Sequence, residues 1–301
     1  MHKKNLIAVC LAAIVFAGCG AVLHAAMQRG LGYSNTPIIP GTNWHVHDGE
    51  RPQPRIVAPG AAFSHNAPAP ADAVVLFDGK DLSKWQSSNG QAAAWRLDEA
   101  GFMETGRGSV RTRDRFADFQ LHLEFATPSQ VRGEGQGRGN SGIIFNGMYE
   151  VQVLDSYDNQ TYPDGQCGAV YGQTPPLVNA CKAPGEWQTY DIIFESPRWD
   201  ADGKLVKKAN VTVIQNGLVL HHKQEFIGCT DGIGGVRHTA LGEYRRQHPP
   251  EVFIELQNHG NPLRYRNIWV RPLGEYDKQL PSENPLQSSE SEAPTAIGQG
   301  N

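Results

Sequence analysis

Residues 141–155 read "SGIIFNGMYEVQVLD", and this stretch decides the fold class. Apolar and polar residues alternate in it, which is the pattern of a half-buried β-strand. Val151 and Val153 fall on one face of the strand, whereas Glu150 and Gln152 fall on the other. The stretch therefore predicts a sheet that closes a core on one side and presents a carboxyl group and an amide on the other.

Short strand patterns of the same kind recur from residue 73 to about residue 274, separated by turns rich in Gly and Pro. Asn216-Gly217 is a hairpin signal, and no segment keeps a helical period of 3.6. Beyond a short apolar run that starts at residue 73, the predicted strands lie at 118–127, 140–147, 148–155, 187–196, 209–217, 218–226, 251–258 and 265–273. The sequence predicts an all-β domain over 73–274, a sandwich or jelly roll of two antiparallel sheets.

The N-terminus, residues 1–26, has the pattern of an export leader. Two lysines precede an apolar run at 6–18, which has the length of a signal-peptide core. The run ends in "FAGC", where Cys19 is the candidate lipidated residue of a lipoprotein; simple cleavage near Ala25 is the alternative. Either reading predicts an exported protein, periplasmic or in the outer membrane, that contacts a membrane only through its leader or lipid anchor.

Three further features complete the organisation of the chain. Residues 27–72 are predicted to form an extended Pro- and Gly-rich arm and tether on the domain surface, in which His47 and Asp48 either belong to the arm or help to form a site. Residues 275–301 are predicted to be disordered. Of the cysteines outside the leader, Cys167 and Cys181 are candidates for a disulfide, the alternative being that these two and Cys229 are buried thiols.

Charge and motifs limit the partners of this protein. The net charge of −4 gives no reason to expect nucleic acid. The Gly-rich loop at 132–142 lacks a phosphate-loop ending, so no nucleotide cofactor is expected; the loop is either a plain connection or folds over a groove.

Strand parity groups polar side chains on the outward face of four predicted strands. Glutamate and histidine suit acid–base work or a hard cation, and asparagine and glutamine suit the recognition of hydroxyl groups. Tyr171 is either a core residue or a platform for a sugar ring. The outward residues include Glu150, Gln152, Glu255, Gln257, His259, His122, Glu124 and Asn140.

Several motifs resemble the 3-keto-disaccharide hydrolase family. They run in order from about residue 74 to 273: "LFDGKDLSKW", "RGEGQGRGNSGIIF", "YEVQVLDSY", "CGAVYG", "WQTYDIIF", "NGLVLHH" and "LQNHGNPLRYRNIWVRPL". The resemblance implies a concanavalin A-like jelly roll with a concave groove. It also implies cleavage of glycosides whose C3 hydroxyl has been oxidised to a ketone, by C2 proton abstraction, elimination and hydration.

The resemblance also suggests roles for single residues. Glu150 and His259 are the candidates for acid–base catalysis or metal ligation, and Asn140, Gln152, Tyr171, Gln257, Glu124 and Arg266 are the candidates for substrate binding. A divalent cation is a candidate cofactor, and an upstream glycoside 3-oxidoreductase would supply the oxidised saccharide. Asn258 stands where relatives often have Asp, which weakens the inference of activity. The alternative is a surface lipoprotein that binds carbohydrate without cleaving it.

Overall fold

The computed structural model describes residues 31–60, 64–230, 233–234, 237–238, 241, 243–244 and 246–274. The predicted leader with Cys19 and the predicted tail lie outside these ranges. Within them the chain forms strands joined by turns and two short 3-10 helices, at Gly135–Gly137 and Pro163–Gly165. None of the helices in the described ranges is long and apolar enough to span a membrane.

The strands, in chain order, are β1 Arg55–Ile56, β2 Val74–Phe77, β3 Trp85–Ser87, β4 Arg96–Asp98, β5 Phe102–Glu104, β6 Val110–Thr112, β7 Phe119–Ala126, β8 Ser141–Phe145, β9 Tyr149–Val153, β10 Val178–Asn179, β11 Gln188–Glu195, β12 Arg198–Trp199, β13 Leu205–Lys207, β14 Asn210–Gln215, β15 Leu218–Glu225, β16 Ile233–Gly234, β17 Arg237–His238, β18 Ile254–Leu256 and β19 Arg264–Pro272.

Two antiparallel sheets make up the body of the molecule. The larger has the order β15-β14-β11-β7-β19-β5-β4, with β2 also paired to β19, and the smaller has the order β3-β6-β18-β8-β9. The remaining short strands form two-stranded pairs at the periphery. This arrangement confirms the predicted all-β sandwich of the jelly-roll class.

The core lies between the two sheets and is rich in aromatic side chains. The ring of Phe145, on the smaller sheet, lies 5.5 Å from Phe119 and 4.4 Å from Phe194, both on the larger sheet. Strand parity agrees with this packing, since Val151, Val153 and Ile143 are fully buried among the core residues. The opposite faces of both sheets are therefore available for polar side chains.

Local turn chemistry fixes the register of the β14–β15 hairpin. Asn216 and Gly217 have φ angles of 51° and 83°. Positive φ at both central residues is the type I′ arrangement that matches the twist of two antiparallel strands, and Asn-Gly is the dipeptide that adopts it most readily. The predicted hairpin is confirmed.

Within residues 31–60 the segment before the jelly roll is packed, which corrects the prediction of an extended surface arm for that part of 27–72. Ile39, Val46 and His47 have no exposed surface. Ile39 and Val46 form a small second core with Ile233, and β1 of the arm pairs in parallel with β10. Asp48 accepts hydrogen bonds from the backbone of His45 and Glu50, so it shapes a turn of the arm.

The two cysteines predicted as a disulfide are free thiols in the structure. Both are buried, and the side-chain amide of Gln215 lies 3.6 Å from each sulfur atom. Tyr190 Oη lies 3.0 Å from Cys167 Sγ. Cys229 is also a buried free thiol. Cys167 and Cys181 are in side-chain contact but are not bonded, as in the buried-thiol alternative, and the Cys167–Cys181 disulfide stays a prediction.

Candidate active site

The outer face of the smaller sheet, called here the site face, carries a row of four side chains across adjacent strands, three of them charged or ionisable. Glu150 on β9 faces Ile144 on β8, Ile144 faces Glu255 on β18, and Glu255 faces Arg111 on β6. We call these four residues the acid row. Because each strand adds about 4.8 Å, the Cα atoms of the two glutamates are about 10 Å apart.

Glu150 is the most unusual ionisable group of the site face. Its side chain is only 8% exposed, and no described residue donates a hydrogen bond to its carboxyl group. Burial, together with the negative charge of Glu255, raises the pKa of Glu150 from 4.5 to about 8. A carboxyl group in such surroundings carries its proton at neutral pH and is suited to act as a general acid.

Glu255 has the same chemical group in different surroundings. Burial raises the pKa of Glu255, but the charge of Arg111 and a hydrogen bond with Ser109 act in the opposite direction. Glu255 therefore ionises before Glu150. Two carboxyl groups on one face whose environments separate their pKa values form an acid and base pair.

Gly142 on β8 leaves the space that the Glu150 carboxyl group occupies. A Cβ atom at this position would lie 2.4 Å from Glu150 Oε1. We expect Gly142→Ala to displace the carboxyl group and to lower kcat by about 10- to 100-fold, because small displacements of catalytic groups are costly. The fold should tolerate the change, since the atom that must move ends a flexible side chain.

The matched control for this prediction is Gly137→Ala, where an added Cβ atom meets nothing within 4 Å. Steady-state kinetics and thermal melts of both variants give the comparison. Equal kcat for Gly142→Ala and wild type would show that the position of the Glu150 carboxyl group does not matter for turnover.

The predicted substrate ligands Gln152 and Asn140 hold a loop in the structure. Gln152 Nε2 donates to Gln136 Oε1 at 3.0 Å, and Asn140 Nδ2 donates to the Gln136 carbonyl at 2.7 Å. Gln136 lies in the Gly-rich loop and also donates to the Gly165 carbonyl at 2.8 Å. Both amides thus anchor this loop at the end of the site face.

Arg138, in the same loop, is directed to Asp155, with Nε 2.7 Å from Oδ2. Its outer nitrogen atom donates to the carbonyl of Tyr157 at 2.8 Å. This arginine is therefore engaged in holding the loop rather than free to bind a substrate.

Tyr171 and the packed arm form the edge of the site beyond β9. The Tyr171 amide donates to the Glu150 carbonyl at 3.2 Å, and its hydroxyl lies 3.1 Å from that of Tyr162. His47 of the arm stacks on Tyr162 at 4.0 Å, and its Nδ1 lies 3.1 Å from Asp164 Oδ1. Burial raises the pKa of Tyr171, and the nearby Glu150 adds to this effect. The arm thus supports the tyrosine that stands next to Glu150.

His259 lies outside the acid row. His259 is exposed and lies four residues beyond Glu255, in the loop after β18. No hydrogen bond or ion pair in the described ranges joins it to Glu150, and a catalytic or metal-binding role of His259 stays a prediction. Gln257 is better placed, because its backbone amide donates to the Gly142 carbonyl at 3.0 Å and its half-buried side chain follows the parity of Glu255.

Glu124 and Arg266 lie on the opposite side of the molecule, which corrects their assignment to the same surface as Glu150. They belong to β7 and β19 of the larger sheet and form an ion pair with Arg266 Nε 2.7 Å from Glu124 Oε2. Asn66 and Asn267 also donate to Glu124. Alternation along one strand shows which side chains face outward, but it does not show which sheet the strand joins.

The Glu124 position offers a prediction about stability. Glu124→Gln is expected to lower the free energy of unfolding by about 1–3 kcal/mol, because it weakens an ion pair whose carboxylate is fully buried, together with the hydrogen bonds of that carboxylate. The activity of the folded protein should not change. Denaturant melts measure the loss, with Glu104→Gln as control, since the ion pair of Glu104 with Arg96 is more exposed. A loss of activity without a loss of stability would contradict this assignment.

A divalent cation at the site face stays a prediction. The described part of the chain contains no group of three His, Cys, Asp or Glu side chains that could hold a metal ion.

Residues that the sequence did not select as functional complete the site. Glu255 shares the parity of Gln257 and was visible as an outward residue, but its pairing opposite Ile144 required the sheet order. Arg111 belongs to β6, a strand that the sequence pattern had not identified, and Ser109 directly precedes that strand. Asp164 has no sequence signal, since its role arises from contact with an arm more than a hundred residues earlier.

This chain is similar to one known protein family and to several solved structures. A family model described as the 3-keto-alpha-glucoside-1,2-lyase-like domain matches residues 72–271. A provisionally named glycosyl hydrolase from Parabacteroides distasonis is 42% identical, with a TM-score of 0.64, and the match covers 81% of this chain and 99% of that one. A second such protein from the same organism is 25% identical, with a TM-score of 0.48 and coverage of 67% and 99%. No curated protein matches this chain. The match to the first of these structures covers 81% of this chain, which is more residues than the family model spans. The similarity therefore reaches beyond 72–271.

Proposed function

Since the chain belongs to the family of 3-keto-alpha-glucoside-1,2-lyase-like domains, we propose that it cleaves glycosides that carry a ketone at C3. Membership of this family and the 42% identical glycosyl hydrolase support a carbohydrate-active hydrolase. The observation that supports the finer statement is the acid row, in which two glutamates face the same surface and have separated pKa values.

The chemistry of a 3-keto sugar explains why such a pair is useful. A ketone at C3 acidifies the proton on C2, so a base can remove it and form an enolate. The enolate then re-forms the ketone, creates a double bond between C1 and C2 and expels the oxygen at C1, which needs a proton. Addition of water to this double bond returns a proton to C2 and a hydroxyl group to C1, and the net result is hydrolysis.

The two glutamates have the properties that these steps require. Glu255 ionises first and serves as the base that removes the C2 proton. Glu150, with its pKa raised to about 8, keeps the proton that the departing oxygen takes. Their separation of about 10 Å between Cα atoms leaves room for one sugar ring between the two side chains.

Neighbouring groups can position the sugar and stabilise the enolate. Tyr171 stands next to Glu150, and burial raises its pKa, so its hydroxyl group stays a hydrogen-bond donor. Gln257 offers an amide on the row next to the acid row and suits a sugar hydroxyl group. A divalent cation, if bound, would stabilise the enolate charge, and neither glutamate step depends on it.

Export and a preceding oxidation step belong to the same proposal. An exported lipoprotein anchored through Cys19 would meet saccharides outside the cytoplasm. Its substrate must come from an oxidoreductase that converts the C3 hydroxyl group of a glycoside to a ketone, because this chain shows no nucleotide-binding motif of its own.

The test is direct. Purified protein is incubated with a 3-keto-disaccharide and with the same disaccharide before oxidation, and the released sugar is measured. We expect release from the oxidised substrate alone. Failure to release sugar from it, with or without added divalent cations, or equal release from both substrates, would refute the proposal.

A further inference from the structure

An arginine-rich stretch lies at the far end of the site face from Glu150. Residues 110–115 read "VRTRDR", and Val110 and Thr112 of this stretch are buried in the core. The alternate residues Arg111, Arg113 and Arg115 therefore fall on the outward side. Arg111 is the last member of the acid row. We call these three residues the arginine end.

None of the three arginines forms an ion pair with a carboxylate in the described ranges. Arg113 donates to the Ser83 carbonyl at 2.9 Å and to Gln86 Oε1 at 3.2 Å, and Arg115 donates to Asn146 Oδ1 at 3.2 Å. Arg111 is half-buried and donates to no described residue. Its five N–H donors are available to a ligand on the site face.

The ring of Phe253 holds two of these side chains in place. The guanidinium carbon of Arg111 lies 4.9 Å from the ring centre, and that of Arg115 lies 5.2 Å from it. Cation–π contacts of this kind orient a guanidinium group without using its hydrogen-bond donors. The guanidinium group of Arg111 is therefore held in one orientation, and its N–H groups remain available to donate hydrogen bonds to a ligand.

We propose that the arginine end binds an anionic substituent, a carboxylate or a sulfate ester, of the saccharide that occupies the site face. The planar guanidinium group matches both anions through paired hydrogen bonds. Three strand spacings separate Glu150 from Arg111, about 14 Å between Cα atoms, a distance that a disaccharide can span. The inference rests on the proposed function in that it takes the site face to bind a saccharide, and it adds the charge class of that saccharide.

Calorimetry with saccharides that have not been oxidised tests this inference separately from catalysis. The probes are a disaccharide of two glucose units, the same disaccharide with a glucuronate unit, and the same disaccharide with a 6-sulfated unit. The full chain is compared with Arg111→Gln and with the control Arg96→Gln, which removes the same charge from β4 of the larger sheet.

We expect one or both anionic probes to bind at least about tenfold more tightly than the neutral one at low salt. This preference should shrink as salt is added, vanish in Arg111→Gln and persist in Arg96→Gln. The carboxylate and sulfate probes show which anion is preferred. Equal binding of all three probes, no binding of any probe, or a preference retained in Arg111→Gln would overturn the inference.

The results remain distinguishable from those for the proposed function. If anionic saccharides bind through Arg111 but no 3-keto-disaccharide is cleaved, the proposed function fails and the anionic subsite stands. If 3-keto-disaccharides are cleaved without any preference for charge, the inference about the arginine end fails and the proposed function stands.

Discussion

Glu150→Gln is expected to lower kcat on a 3-keto-disaccharide by about 10²- to 10⁴-fold, the usual contribution of a general acid or base. The amide has nearly the shape of the carboxyl group, but it cannot deliver a proton to the leaving oxygen. A 3-keto-glucoside of p-nitrophenol has a leaving group that needs no proton. On that substrate the variant should retain a rate within about tenfold of wild type.

Glu255→Gln is the matched comparison for this prediction. A variant without the base should be slow on both substrates, since removal of the C2 proton precedes departure of either leaving group. Steady-state kinetics with the two substrates, and circular dichroism to confirm folding, separate the roles. If Glu150→Gln were equally slow on both substrates, or if Glu255→Gln were rescued by the aryl substrate, the two roles would be wrongly assigned.

The second large effect concerns stability, and Glu150→Gln should make the protein more stable at high pH. The pKa of Glu150 is raised from 4.5 to about 8 by burial and by Glu255. A raised carboxyl pKa contributes stability that is fully present below pH 4.5 and is lost as the pH rises through about 8. Each unit of pKa shift corresponds to about 1.4 kcal/mol, so the wild type should lose on the order of 5 kcal/mol relative to the variant between about pH 4 and pH 9.

Denaturant melts of both proteins across this pH range measure the difference directly. Other ionisable groups are the same in both proteins, so the difference reports the ionisation of Glu150 and its repulsion with Glu255. Glu251→Gln, which removes an exposed carboxyl group, controls for the loss of one charge. If the unfolding free energies of wild type and Glu150→Gln ran parallel with pH, Glu150 would not be a buried neutral acid.

The sequence predicts the strands well because period-two alternation reports burial one residue at a time. Val151 and Val153 enter the core, and Glu150 and Gln152 face away from it, as the alternation in 148–155 indicates. The Asn216-Gly217 hairpin is also predictable, because a type I′ turn has a narrow sequence requirement. In these cases the structure depends on interactions between residues that are close together in the sequence.

The site is only partly predictable, because pairing between distant strands is not local. Parity places both Glu124 and Glu150 on outward faces, yet β7 and β9 belong to different sheets and their outward faces point in opposite directions. The same limit explains why Glu255, although visible as an outward residue, was not selected as a catalytic candidate. The packed arm was missed because its short apolar pairs, such as Ile39 and Val46, have no periodicity.

The fate of the C2 proton tests the central claim most directly. The protein is incubated with a 3-keto-disaccharide in D₂O, and the oxidised product is followed by proton NMR against a sample of the free 3-keto sugar without protein. The mechanism predicts a product with deuterium at C2 if water adds back, or the C1–C2 unsaturated ketone if it does not, and no such change with Glu255→Gln. A cleaved product that keeps its original C2 proton would contradict the mechanism, because the bond would then have been hydrolysed without proton abstraction.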